Sequence, residues 1–197
     1  MNILVAFECS GKVREAFRSL GYNAFSCDIQ EADDNSEYHI CGDAIEAIKS
    51  KAWDLIIMHP PCTCLSVSGN STYAKGKPKH SERVQAIDYT LKLWEIAKEQ
   101  SKHVAMENPV GVLPLKPTQY VQPWEFGHPE SKKTGLWLHN LPKLKETNNV
   151  KNEYDSLPKN KAQRLHYLPP SADRAKIRSE TFSGIAEAMA NQWSKAI

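Results

Sequence analysis

Cys62 follows His59-Pro60-Pro61, directly after an apolar run, Asp54–Met58, that reads as a buried strand. The two prolines restrict the backbone ahead of it, so the thiol is aimed rather than mobile. A thiol held this way at a strand end is a candidate nucleophile; a small buried residue is the plainer alternative. Val104–Met106 is a second short apolar run, and it ends in Glu107-Asn108. The first strand-like run, Asn2–Phe7, ends in a tight turn, Glu8-Cys9-Ser10-Gly11, that leads into a helix. Asp28, with Ile29 beside it, ends the second strand about 20 residues later, where a carboxylate can accept the hydroxyls of a ribose. A nucleoside-bearing cofactor and a reactive thiol would then share one face. The turn is not a G-x-G-x-x-G fingerprint, and a purely structural turn is the alternative reading of Gly11.

Such strand ends need a scaffold that brings them together. Asn2–Phe7, Asn23–Cys27, Asp54–Met58 and Val104–Met106 read as strands, and Gly135–Leu138 as a further one. Val13, Ala16, Phe17 and Leu20 recur at helical spacing in Lys12–Leu20, which Gly21 ends. Ala44–Lys49 reads as a short helix, and Phe182–Trp193 closes the chain as another. Arg83–Gln100 is an amphipathic helix with Val84, Ile87, Leu91, Trp94, Ile96 and Ala97 on its apolar side. This alternation predicts an α/β fold with a mostly parallel sheet, helices on both faces, and a single domain. Ligands of such a sheet bind beyond the carboxyl ends of its strands. Gln30–Glu37, Ser66–His80 and the proline-rich Gly111–Pro129 read as loops, and Asn140–Pro170 as a long polar connection.

A chain of 197 residues supports one full core. No apolar run approaches the roughly 20 residues needed to span a bilayer. The opening strand leaves no room for a signal peptide, so a cytoplasmic protein without a membrane partner is expected. A net charge of +2 neither demands nor excludes nucleic acid. Basic residues gather in Lys75, Lys77, Lys79, His80 and Arg83, and again between Lys143 and Arg178. Solvated loops and a phosphate-binding surface both fit that pattern. Five cysteines, an odd count, argue against a disulfide framework. Cys62 and Cys64 lack a second pair at zinc spacing, and no metal is expected. Cys27 and Cys41 lie in apolar contexts and are expected to be buried.

Taken in order, Phe7-x-Cys9-Ser10-Gly11, Asp28, Gly42-Asp43, Pro60-Pro61-Cys62-x-x-x-Ser66, Glu107-Asn108 and Ser183-Gly184-Ile185 resemble the motif series of the DNA cytosine-5 methyltransferases. The likeness covers most of the chain apart from Asn140–Arg178. Its specific part is Pro-Pro-Cys with a downstream Glu-Asn; the amino-methyltransferases of similar fold carry an aromatic residue after Pro-Pro. The resemblance implies a Rossmann-like fold and S-adenosyl-L-methionine as cofactor. It implies that Phe7 packs on adenine, Asp28 holds the ribose and Asp43 meets the adenine amino group. The turn Glu8–Gly11, Ile29, Pro60, Ser183 and Gly184 would complete that pocket. It further implies that Cys62 adds to carbon 6 of cytosine, which activates carbon 5. Glu107, with Asn108 beside it, would protonate or stabilise nitrogen 3, which requires a carboxyl raised in pKa by burial. Cys62 needs the opposite bias, toward thiolate.

The chain departs from that series in four places. The first turn has one glycine, Thr63 stands where Gln usually follows the nucleophile, and Pro109 stands in place of Val. A Gln-x-Arg-x-Arg element is not visible; Lys132 and Lys133 lie where it would fall and are candidates to hold the base. Residues 140–178 replace a target-recognition domain with a short basic insertion, between a catalytic core of residues 1–139 and a closing helix in 179–197. Ser66 and Arg164 are further substrate-binding candidates. The expected partner is DNA, read by a compact enzyme of phage or mobile-element type, with the basic segments on the backbone. A free cytidine mononucleotide is the alternative, since it needs no recognition domain. A non-catalytic nucleic-acid-binding protein on the same fold is a third.

Overall fold

The computed structural model describes residues 1–197. In chain order the elements are β1 (Asn2–Ala6), α1 (Lys12–Arg18), β2 (Asn23–Asp28), β3 (His39–Cys41), α2 (Ala44–Lys49), β4 (Leu55–Met58), α3 (Asn70–Tyr73), α4 (His80–Gln100) and β5 (Val104–Pro109). Then come β6 (Gln119–Val121), β7 (Thr134–His139), α5 (Lys151–Ser156), α6 (Lys159–Ala162), α7 (Arg164–Tyr167), α8 (Arg174–Ser179) and α9 (Ser183–Trp193). The seven strands form one sheet in the order β3-β2-β1-β4-β5-β7-β6. The first five run parallel; β7 is antiparallel to both β5 and β6. The α/β architecture expected from the alternation of strands and helices is the one observed.

Period-two alternation along the central strands builds two cores. Ile3, Val5, Leu55, Ile57 and Ala105 face one side, where they meet Val13 and Phe17 of α1 and Ile185, Ala186, Met189 and Trp193 of α9. Leu4, Ala6, Ile56, Met58, Val104 and Met106 face the other, where they meet Ala44, Ala47 and Ile48 of α2 and Leu93, Trp94 and Ala97 of α4. A strand covered on both faces can be apolar throughout, which is why β4 reads Leu-Ile-Ile-Met.

Several expectations are corrected. β3 and β6, of three residues each, fall within stretches too short to show a period. Residues 140–170 are not a bare connection: three short helices lie there, and Leu144, Ala162 and Leu165 are buried. Their apolar anchors are too sparse for helical periodicity: α6 buries Ala162, α7 buries Leu165, and α5 buries no residue. The Ser66–His80 loop contains a single 3-10 turn, Val67–Gly69, and α3. Leu20 and Val84 are exposed, Leu20 because α1 ends before it and Val84 because it lies on the outer side of α4. Cys27 is buried as expected, but Cys41 is exposed because the edge strand β3 has no cover there. No helix is long and apolar enough to cross a membrane.

Candidate active site

The chain runs β1-β2-β3 toward one edge, then crosses to β4-β5 on the other side of β1. The crevice at such a switch point, beyond the carboxyl ends of the two strands, is where parallel sheets bind ligands. Here the loop after β1 (Phe7–Ser10) and the loop after β4 (His59–Cys62) share a cleft of about 1310 Å³. Asp28, Ile29, Gly42, Asp43, Ser66, Glu107 and Lys132 also line it. Residues 170–181, with α8 at their centre, and Leu165 and His166 of α7 form its far wall.

The β1–β2 half fits a nucleoside. Phe7 has φ 63°, a left-handed conformation uncommon for a bulky residue. Asp28 spends Oδ1 on the backbone N–H of Gln30 (3.0 Å), and Asp43 spends Oδ1 capping α2 at Ile45 and Glu46. The second carboxylate oxygen of each has no hydrogen bond within the protein, as a hydroxyl- or amino-binding role requires. Ile29 is 79% exposed, an apolar surface on which a flat ring can lie. Glu8 explains the single-glycine turn. Its Oε1 accepts the N–H of Val13 (2.7 Å) and its Oε2 that of Arg14 (3.2 Å), so an internal carboxylate satisfies the start of α1. Burial nonetheless leaves the Glu8 carboxyl raised above its ordinary value. Gly11 does not line the cleft; it caps α1 at φ 68°, and a Cβ there would strike the buried Arg14 guanidinium. Cys9 lines the cleft, and burial, with Asp33 and Asp28 nearby, raises its thiol.

The β4–β5 half holds Cys62 and Glu107. Burial pushes the Cys62 thiol up and the Glu107 charge adds to this, while Lys132 and Arg178 pull the other way. Burial alone would raise Glu107 as well. The hydrogen bond from His59, the Lys132 ammonium, the His59 charge and the Thr134 hydroxyl outweigh it and hold Glu107 below the ordinary carboxylate value. Both directions are opposite to those expected from sequence. The reason is the tertiary placement of His59 and Lys132 around Glu107, and, for Cys62, burial first and then Glu107 beside it. The two effects are coupled: a proton on Glu107 would remove the negative charge that disfavours the Cys62 thiolate.

Asn108 is buried, off the cleft, and donates its side-chain N–H to the Pro60 carbonyl (3.0 Å). It therefore holds the proline turn that aims Cys62. Arg83, grouped in sequence with an exposed basic loop, is buried at the start of α4. It donates to the Cys64 carbonyl (2.6 Å), the Ser66 carbonyl (3.2 Å) and Asn70 Oδ1 (2.8 Å), clamping the loop beyond the thiol. Ser66 reaches the cleft from that loop.

Lys132 lines the cleft and donates Nζ to the carbonyls of Ser179 (3.3 Å) and Glu180 (2.9 Å). Lys133 instead lies over the Tyr120 ring, 4.7 Å from its centre. Arg164 is paired with both oxygens of Glu130 (3.1 Å each). Ser183 and Gly184 do not line the cleft: both contact His128, and a Cβ on Gly184 would lie 1.9 Å from the Phe126 carbonyl. Two roles were missed in sequence. His59 was read only as part of a proline turn, although a histidine between a strand and Pro-Pro-Cys was the available signal. The α8 wall carried none, because Lys176–Asp33 (2.6 Å) and Lys12–Glu180 (2.6 Å) join residues far apart in the chain.

No family model and no curated protein matches the sequence. Among solved structures, the protein is similar to the Entamoeba histolytica methyltransferase EhMeth, with a TM-score of 0.50 and 18% identity over 87% of this chain and 61% of that one. It also matches Schizosaccharomyces (S. pombe) Dnmt2 methyltransferase at TM-score 0.43 and 15% identity, over 89% and 61% of the two chains. A third match is a Spodoptera frugiperda DNMT2 mutant, at TM-score 0.40 and 16% identity over 76% and 51%. The chain thus spans less than two thirds of the length of these structures. The sheet order, the cleft at the switch point and the likeness to EhMeth agree on one conclusion: the chain has the α/β methyltransferase fold.

Proposed function

We propose that the protein is an S-adenosylmethionine-dependent methyltransferase acting on carbon 5 of cytosine through a covalent adduct at Cys62, with a cytosine of DNA as substrate. The observation that carries this reading is the joint presence of Cys62, in the loop after β4, and Glu107, in β5 just beyond its pairing with β4, in a cleft whose other end offers Asp28, Ile29 and Asp43 to a nucleoside. S-adenosylmethionine, when bound there, supplies an electrophilic methyl group. The Cys62 sulfur bonds to carbon 6, nitrogen 3 gains a proton from the Glu107 side, and carbon 5 becomes nucleophilic. After transfer, loss of the carbon-5 proton and expulsion of the thiolate regenerate Cys62. A duplex substrate would have to present a flipped base to this cleft, while a single strand need not.

A second reading, a free cytidine mononucleotide as substrate, is favoured by how the basic segment uses its charge. Of its nine cations, Arg164, Lys151 and Lys176 are paired with Glu130, Asp155 and Asp33, and the other six are in no ion pair. Leu165, His166 and residues within 170–181 line one wall of the cleft. Methyl transfer from radiolabelled cofactor to duplex DNA, single-stranded DNA, RNA and CMP or dCMP separates the readings. Cys62→Ser should abolish transfer to whichever substrate is used while cofactor affinity changes less than about threefold. Full activity in that variant would sink the covalent mechanism.

A further inference from the structure

His59 stands immediately before Pro60-Pro61-Cys62, with its side chain about 10% exposed. Its Nδ1 lies 3.4 Å from Glu107 Oε2, and its Nε2 is buried with no hydrogen-bond partner in the protein. Four other histidines are tied into the scaffold, while His166 lines the same cleft without a side-chain hydrogen bond. His39 bonds Ser26 and the Gln30 carbonyl, His80 the Tyr73 carbonyl, His103 the Asp54 carbonyl, and His128 the backbone N–H of Gly184. His59 contacts only the carboxyl at the reacting end of the cleft.

We propose that His59 is a positioning residue that stores, on Nδ1, the proton that Glu107 passes to the substrate. This rests on the cytosine reading above. Glu107 must donate to nitrogen 3, yet it is held ionised by its surroundings. A protonated His59 supplies what it lacks. As the sulfur–carbon-6 bond forms and the ring π-bond at that carbon breaks, nitrogen 3 takes a proton from Glu107. Glu107 takes the Nδ1 proton, and the imidazole is left neutral. Expulsion of the thiolate returns the proton by the same route. Imidazole suits this because it gains and loses a proton near neutral pH. The charged and titratable groups facing this pair are Glu8 after β1, Lys132 before β7 and Cys62 in the same turn.

Two measurements test it. In 15N-histidine NMR, with His59 assigned by comparison with His59→Asn, the His59 Nδ1 signal should report a proton shared with Glu107 and should move in Glu107→Gln. An unmoved signal would overturn the proposal without reference to any substrate. In methyl transfer, His59→Asn keeps an N–H near Nδ1 but cannot store a proton. Its kcat should fall about 100-fold or more, and the alkaline decline of the wild-type pH profile should disappear, with cofactor affinity unchanged. His59→Gln serves as the second variant and should show the same loss. Wild-type kcat with the alkaline limb intact in either variant would reduce His59 to packing. If the wild-type protein methylates no cytosine at all while the NMR coupling is present, the reading of the function fails and takes the delivery step with it.

Discussion

Cys62 and Glu107 occupy one cleft, and the Glu107 charge adds to the effect of burial on the thiol. The ionised Glu107 disfavours the Cys62 thiolate, and this coupling can be measured without a substrate. A lower thiol pKa means more thiolate, and faster alkylation, at any pH below it. Glu107→Gln removes the negative charge, so Cys62 should alkylate with iodoacetamide roughly threefold to tenfold faster near neutral pH, a shift of up to about one unit. Peptide mass spectrometry distinguishes Cys62 from the other four cysteines. An unchanged or slower rate would mean that burial alone sets the thiol. For Glu107 the sign is reversed. Its carboxyl is held low, so its contribution to stability is present above the ordinary carboxylate range and is lost as pH falls through the folded value.

At the scale of elements, two contacts hold the site from outside. Arg83 of α4 clamps the loop after Cys62 through three acceptors. Gly184 of α9 lets that helix pass against the Phe126 carbonyl, where any Cβ would overlap. Gly184→Ala should therefore cost about 1–3 kcal/mol in urea unfolding, by forcing α9 away from its seat. A neutral result would mean that the backbone at Phe126 yields freely. Because Gly184 lies off the cleft, cofactor affinity in the folded fraction should hardly change. Its place in the motif series is accounted for by close packing, just as Gly11 is accounted for by the left-handed cap of α1.

Across the whole molecule, the cleft is bounded by groups that meet only in three dimensions. Lys176–Asp33, Lys12–Glu180 and the two bonds from Lys132 strap α8 and its flanks over the sheet ends. The two ion pairs are partly exposed and screened by salt, and each contributes little. Lys132, by contrast, bonds backbone carbonyls. Lys132→Ala should speed amide exchange in residues 174–181 more than Lys176→Ala does. High salt should reproduce the smaller effect but not the larger one. If the order were reversed, the ion pairs and not Lys132 would be what holds the wall in place.

How much of this was legible in sequence follows from what is local. The strands β1, β2, β4 and β5, the helices α1, α2, α4 and α9, and the layering of the sheet follow from apolar periodicity, because burial on both faces selects local patterns. The proximity of Phe7, Asp28, Pro60, Cys62 and Glu107 was legible too, since parallel strands deliver their carboxyl ends to one edge. Three-residue strands and sparsely anchored helices left no period to read. Charge states were out of reach altogether. Whether Glu107 is raised or lowered depends on His59, 48 residues away, and on Lys132, and whether a lysine is free depends on an acid elsewhere in the chain. Sequence determined the scaffold and which candidate residues meet in the cleft. The tertiary structure alone decided their protonation and which cations remain unpaired, because electrostatic energy depends on distance and burial in space and not on separation along the chain.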